Sequence, residues 1–92
     1  MIMKTQNFPE EYLQELGLRI KIIRTFLNLD QRKMSDLMKT GQSQISKIES
    51  GRSAPTLFQL RMIKKLADEN DYLRENLTWE WILDGKGKGI LG

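Results

Sequence analysis

The sequence predicts an all-α fold, a single compact domain of five helices that includes a helix-turn-helix. Apolar residues recur at helical spacing along most of the chain, and no segment shows the alternation typical of a strand. Glycine, proline and short polar clusters separate the helical segments. A chain of 92 residues is long enough to bury the modest core of one such domain.

Two neighbouring helices, at residues 31–39 and 42–49, form the centre of this prediction. Their apolar positions are Met34, Leu37 and Met38 in the first helix and Ile45 and Ile48 in the second. The few residues between them allow only a tight turn. Two short amphipathic helices joined in this way are typical of a helix-turn-helix.

The first helix is predicted to begin near Asn7 and Pro9 and to end at Asn28, which tolerates the left-handed conformation. Its inward positions are Leu13, Leu16, Ile20, Ile23 and Leu27. Asp30 then stands where it can cap the helix that follows.

The fourth helix is predicted to start at Thr56, where Gln59 completes a capping box. Its inward positions are Leu57, Leu60, Ile63 and Leu66. The polar residues 68–75 indicate an extension of this helix or an extra turn. Thr78 is suited to cap a last short helix at residues 79–83.

The domain is therefore expected to cover residues 1–85. The remaining segment, residues 86–92, alternates glycine with lysine before a short apolar end. Such a composition does not sustain a helix, so we expect a flexible Gly/Lys tail there.

The composition excludes several kinds of chemistry. The chain has no Cys and no His, which removes thiolate and imidazole ligands and the commonest general base. No paired carboxylates, phosphate loop or nucleophile arrangement stands out, so we expect no enzyme activity, no metal site and no cofactor. No apolar run or signal peptide indicates a membrane or an exported protein, so we expect a cytoplasmic one.

The net charge of +3 is unevenly distributed along the chain. Residues 19–65 carry eleven Lys and Arg against three acids, whereas the flanking segments are net acidic. A concentrated basic region favours a polyanionic partner. Chance clustering on a solvated surface is the alternative, and the coincidence with the helix-turn-helix weakens it.

The second helix of this motif has an informative outward face, because Ile45 and Ile48 define its inward side. The outward positions are Gln42, Ser43, Ser46 and Lys47. In the major groove Gln pairs with adenine, Lys donates to guanine, and Ser serves several bases. The face therefore favours reading of DNA bases, against the alternative of an ordinary polar surface.

Several motifs in one order carry a family resemblance. They are LGLRIKIIRTFLNLDQ with Arg19, Ile20 and Arg24, then Gln31, Ser35, Ile45 and Ile48, the loop IESGRSAPTL, and LTWEWILDGKG with Trp81 and Gly85. Over residues 16–85 the chain resembles the phage-repressor and Cro family of helix-turn-helix proteins, also called XRE-like. The resemblance implies a lambda-repressor-like domain that binds double-stranded DNA.

The resemblance also implies individual roles. Base contacts fall to Gln42, Ser43 and Lys47, with Ser46 and Gln44 as weaker candidates. Phosphate contacts fall to Gln31, Arg32, Gly41, Ser50, Arg52 and Ser53. Arg24 and Glu49 resemble a family pair that bridges the first helix to the end of the third, so we expect a structural ion pair.

The turn of the motif departs from the family pattern. The family has Gly where this chain has Lys39, and an apolar residue where it has Thr40. A left-handed residue other than Gly costs roughly 1 kcal/mol, and Gly41 is an alternative position for it. Residues 68–75 also resemble an insertion before the last helix.

Trp79 and Ile82 are expected to form an apolar dimer surface at the carboxyl end. The alternative is that both tryptophans, Trp79 and Trp81, pack against the other helices. We expect a bacterial or phage dimeric transcription regulator, a repressor that binds an inverted-repeat operator in the nucleoid. An antitoxin-type protein, which neutralises a toxin partner and regulates its own operon, is the second hypothesis.

Overall fold

The computed structural model describes residues 10–90, and this part of the chain contains six α-helices and no strand. The helices are α1 (Glu10–Phe26), α2 (Gln31–Leu37), α3 (Gln42–Glu49), α4 (Leu57–Asp68), α5 (Asp71–Asn76) and α6 (Trp79–Asp84). The all-α class is thereby confirmed. The helix start predicted at Asn7 and Pro9 lies outside the described residues. None of the described helices is long and apolar enough to cross a membrane.

The predicted caps are present. Asp30, Thr56 and Thr78 each accept a hydrogen bond from the backbone N–H three residues later, and Gln59 completes the capping box at Thr56. Asn28 adopts a left-handed φ of 59° just beyond α1. These short-range interactions set the ends of four of the six helices.

The sixth helix corrects the prediction of five. The polar segment after α4 forms a separate short helix, α5, which agrees with the alternative of an extra turn and not with an extension of α4. Asn70 accounts for the break, because its side chain accepts a hydrogen bond of 2.9 Å from the Leu73 N–H and caps α5. Leu73 then turns fully into the core.

Every helix contributes to one apolar core. α2 packs against α3, and α3, α4 and α6 each pack against α1. α5 packs against α4. The buried apolar residues are Leu16, Ile20, Ile23, Met34, Met38, Ile45, Ile48, Ile63, Ala67, Leu73, Leu77, Ile82 and Ile90. This core holds α3 with one side inward and the other side at the surface.

Arg19 joins α1 to the end of α6. Its Nε donates to the Ile82 carbonyl at 2.9 Å, and its Nη2 donates to the Leu83 carbonyl at 3.1 Å. Carbonyls at a helix end need such partners from outside the helix. Beside this contact, burial raises the pKa of the Tyr12 hydroxyl, and the Asp84 carboxylate raises it further.

Two predictions for the carboxyl end are wrong. Ile82, assigned to a dimer surface, is 0 % exposed and belongs to the core of the single chain. The boundary predicted at residue 85 does not end the packed domain, because Ile90 is buried and its carbonyl accepts a 2.7 Å hydrogen bond from the Tyr72 hydroxyl. Gly89 permits this return, since a Cβ there would overlap the Trp81 ring. Residues 91–92 lie outside the described part.

Gly17 allows α3 to approach α1 closely. A Cβ at Gly17 would overlap the Ile48 carbonyl oxygen and lie 2.7 Å from the Glu49 carbonyl oxygen. We expect Gly17→Ala to lower the free energy of unfolding by about 1–2 kcal/mol, because overpacking outweighs the gain in helix propensity. Urea unfolding followed by circular dichroism measures the change.

The matched control is Gly41→Ser, where nothing lies within 4 Å of the added Cβ. Because Ser is a good residue at the start of a helix, this variant should be at least as stable as the wild type. An unchanged free energy of unfolding for Gly17→Ala would contradict the proposed close approach of α1 and α3.

Candidate nucleic-acid interface

The two faces of α3 are separated as the sequence predicts. Ile45 and Ile48 are each 3 % exposed and hold the helix in the core. Gln42, Ser43 and Lys47 are exposed on the other side, and Gln44 and Ser46 are half-buried. α3 therefore presents a compact row of amide, hydroxyl and ammonium groups on its exposed side.

The turn before α3 keeps its left-handed residue at Lys39. Lys39 has a φ of 56°, whereas Gly41 is extended at φ −88° and serves as the N-cap of α3. The Thr40 N–H donates to the Ser35 carbonyl at 3.0 Å, which closes the turn onto α2. The alternative of a turn shifted to Gly41 is therefore wrong, and Gln42 keeps its place at the first position of α3.

Lys39→Gly is expected to raise the free energy of unfolding by about 0.5–1 kcal/mol. Glycine removes the left-handed strain, and its greater freedom in the unfolded chain offsets part of the gain. Lys33→Gly, at an exposed helical position of α2, is the matched control and should destabilise by about 0.8 kcal/mol. Thermal or urea unfolding compares the two, and a destabilised Lys39→Gly variant would refute the assignment of strain.

The predicted pair of Arg24 and Glu49 is present and nearly buried. Arg24 Nε and Nη2 donate to the two carboxylate oxygens of Glu49 at 2.6 and 3.1 Å, and each residue is 8 % exposed. Arg24 Nη1 also donates to the Leu29 carbonyl at 2.7 Å. The pair therefore ties α1 to the end of α3 and to the loop before α2.

Gln31 joins the same network from the first position of α2. Its Nε2 donates to Glu49 Oε1 at 3.1 Å, and the side chain is half-buried. An amide nitrogen has two hydrogens, so one remains for another acceptor. Arg32, the next phosphate candidate, is exposed beside Gln31.

The loop after α3 holds the remaining phosphate candidates. Ser50 and Arg52 are exposed, and Arg52 Nε donates to Ser50 Oγ at 3.0 Å. Ser53 is half-buried, and its hydroxyl accepts a 2.8 Å hydrogen bond from Gln44 Nε2. Gly51 is buried with a φ of 83°, and a Cβ there would lie 2.7 Å from the Gln14 Cα. This loop is thus packed against both α1 and α3.

Sequence reasoning missed these contacts of Gln31 and Gln44. Gln31 and Glu49 are 18 residues apart, and Gln44 and Ser53 are nine apart. Neither spacing corresponds to a local motif, so the sequence contains no signal for either bond. The contacts follow only from how α3 packs against α2 and the loop after it.

A surface groove between α4 and α6 was also missed. The groove has a volume of about 1060 Å³, and Leu57, Phe58 and Trp79 on its walls are 73, 49 and 39 % exposed. The inward position predicted for Leu57 is therefore wrong. Arg61 and Lys65 also line it. Trp79 therefore faces outward as predicted, with neighbours on α4 in place of Ile82.

Comparison with known proteins identifies the family. A family model described as a helix-turn-helix domain matches residues 17–88, which include α2, α3 and the loop after α3. No curated protein sequence gives a significant match. Domains of this kind are typically DNA-binding and not enzymatic. The chain belongs to the helix-turn-helix family, and its type is XRE/Cro-like.

Proposed function

We propose that the protein is a sequence-specific transcription regulator that represses by occupying a promoter. The observation that carries the proposal is the exposed polar face of α3, with Gln42, Ser43 and Lys47 outward and Ile45 and Ile48 buried. A recognition helix in the major groove needs this division between an anchored side and a side of hydrogen-bonding groups.

The chemistry of the face suits base edges. Gln42 carries an amide that pairs with adenine through two hydrogen bonds, and Lys47 carries a cation that donates to guanine O6 and N7. Ser43 and the half-buried Ser46 offer hydroxyl groups that serve either kind of base. These residues would specify the sequence, with Ser46 in a minor role.

Phosphate contacts would fix the position of α3 in the groove. Gln31 and Arg32 lie at the start of α2, and Ser50, Arg52 and Ser53 lie in the loop after α3. Gly41, at the N-cap of α3, would offer the amino end of the helix to a phosphate. Contacts of this kind set register, whereas base contacts set sequence preference.

We propose a dimer whose contact surface is the groove between α4 and α6. Leu57, Phe58 and Trp79 place three large apolar side chains at one exposed site, and a second copy would cover them. A two-fold dimer would place one α3 in each of two successive major grooves. The operator would then be an inverted repeat.

The antitoxin hypothesis is less well supported. Its partner surface would be the acidic segment at residues 68–75, yet Asp68 pairs with Lys64 at 2.7 Å and Asp71 with Arg74 at 3.0 Å. These ion pairs leave fewer free acids for a partner. Co-purification of a specific protein with the full chain from a bacterial host would favour this hypothesis.

The test is selection of binding sites from random duplex DNA at near-physiological salt, which must be held constant because phosphate contacts dominate affinity. We expect an inverted repeat with half-site centres about ten base pairs apart. A single half-site would contradict the dimer. Salt-sensitive binding without an enriched sequence would contradict sequence-specific regulation.

A further inference from the structure

We infer that Gln44 is a positioning residue for the DNA backbone, although it lies on the recognition helix. Its role is to hold Ser53, in the loop after α3, where the Ser53 hydroxyl meets a phosphate oxygen. The inference rests on the proposed DNA-binding function and gives Gln44 a different task from its neighbours Gln42 and Ser43.

The position of the Gln44 side chain is the first argument. Gln44 is half-buried and its Nε2 donates to Ser53 Oγ at 2.8 Å, whereas Gln42 and Ser43 are exposed. A side chain committed to the loop is turned away from the face that would enter the groove. Gln44 therefore differs from the residues that would read bases.

The polarity of this hydrogen bond is the second argument. A serine hydroxyl has one hydrogen to donate and two lone pairs that accept. Because Gln44 is the donor, it occupies a lone pair of Ser53 and leaves the hydroxyl hydrogen free. A phosphate oxygen only accepts hydrogen bonds, so Ser53 is left with the group that a phosphate requires.

The loop around Arg52 is held on both sides. Gly51 packs against the backbone of α1 at Gln14, and Gln44 holds Ser53. The Arg52 N–H between them donates to the Lys47 carbonyl at 2.8 Å. Fixing Ser53 therefore also fixes the direction in which the Arg52 side chain leaves the loop.

The same arrangement occurs on the other side of the motif. Glu49, at the end of α3, accepts from Gln31 Nε2 at 3.1 Å and leaves the second amide hydrogen of Gln31 free. Two residues of α3 would thus orient the phosphate contacts on both sides of the motif. Glu49 would orient Gln31, and Gln44 would orient Ser53. Rigid placement of donors lowers the ordering cost on binding.

The first test compares Gln44→Ala with Gln42→Ala on the selected site and its single-base variants. Loss of one net hydrogen bond predicts that Gln44→Ala weakens binding about fivefold. The loss should be equal for every sequence, so the order of preference stays unchanged. Gln42→Ala should instead alter preference at one base position. A changed preference for Gln44→Ala, or unchanged affinity, would overturn the inference.

A double-mutant cycle tests the route through Ser53. Ser53→Ala and the double variant Gln44→Ala with Ser53→Ala should bind DNA with equal affinity, because the first change already removes the phosphate donor. Additive losses would show that Gln44 acts independently of Ser53, contrary to the inference.

A measurement on the free protein separates this inference from the proposed function. Nuclear magnetic resonance relaxation of the side-chain amides should show Gln44 ordered and Gln42 mobile in the wild type. If no DNA sequence is selected but Gln44 is ordered, the proposed function fails and the contact to Ser53 stands. Equal mobility of the two amides would overturn the inference itself.

Discussion

Replacing Glu49 with Gln is expected to lower the free energy of unfolding by about 3 kcal/mol, because it leaves the Arg24 charge buried without its counter-ion. The guanidinium has bidentate contact with Glu49, and Arg24 is only 8 % exposed, so water does not compensate for the loss. The same change weakens the hydrogen bond that Gln31 Nε2 donates to the side chain at position 49. For a domain of this size about 3 kcal/mol is a large share of total stability.

Urea unfolding of three variants checks the interpretation. Asp71→Asn removes an exposed partner of Arg74 and should cost less than about 1 kcal/mol. The double variant Arg24→Met with Glu49→Met should recover most of the stability lost in Glu49→Gln, since two apolar side chains replace both buried charges. If Glu49→Gln lowers the free energy of unfolding no more than Asp71→Asn does, the pair of Arg24 and Glu49 does not stabilise the packing of α3 on α1.

Features set by neighbouring residues were predictable from the sequence. The caps at Asp30, Thr56 and Thr78 and the left-handed Asn28 depend on backbone groups within a few residues. The separation of the two faces of α3 follows from helical periodicity alone. For these features sequence spacing and spatial proximity are nearly the same, so a reading of the sequence is sufficient.

Features set by packing were not predictable. Ile90 follows a run of glycine and lysine, and it is buried because the chain returns to the domain, where Gly89 lies against the Trp81 ring and the Tyr72 hydroxyl donates to the Ile90 carbonyl. Trp79 and Ile82 are three residues apart on one short helix, yet the first lies at the surface and the second in the core. Periodicity gives the direction of a side chain and does not show which part of a helix face the rest of the fold covers.

The different roles proposed for Gln42 and Gln44 on α3 also follow from packing. Gln42 and Gln44 are the same residue type two positions apart, and both stand in a motif that reads DNA. Of these two glutamines, only Gln44 has a described hydrogen bond to the loop after α3, through Ser53. Residue type alone therefore does not distinguish a base contact from a positioning contact.

Lys47→Ala is expected to weaken binding to the selected site by about 2 kcal/mol, roughly 30-fold, and to relax preference at a single base position. Lys47 is exposed in the last turn of α3, and no described salt bridge occupies its ammonium group. A cation in the major groove donates to guanine O6 and N7, so the loss should be greatest where guanine is preferred.

Lys21→Ala, at an exposed position of α1, removes the same charge outside the motif and serves as the control. Titrations of both variants at several salt concentrations separate the possible roles. If Lys47 contacts a phosphate, its removal weakens all sequences equally and reduces the slope of log K against log salt by about one. If it reads a base, the loss depends on sequence, because the variant keeps its affinity for sites that lack the preferred guanine. A uniform loss would therefore transfer Lys47 to the phosphate contacts and leave Gln42 and Ser43 as the base-reading residues of α3.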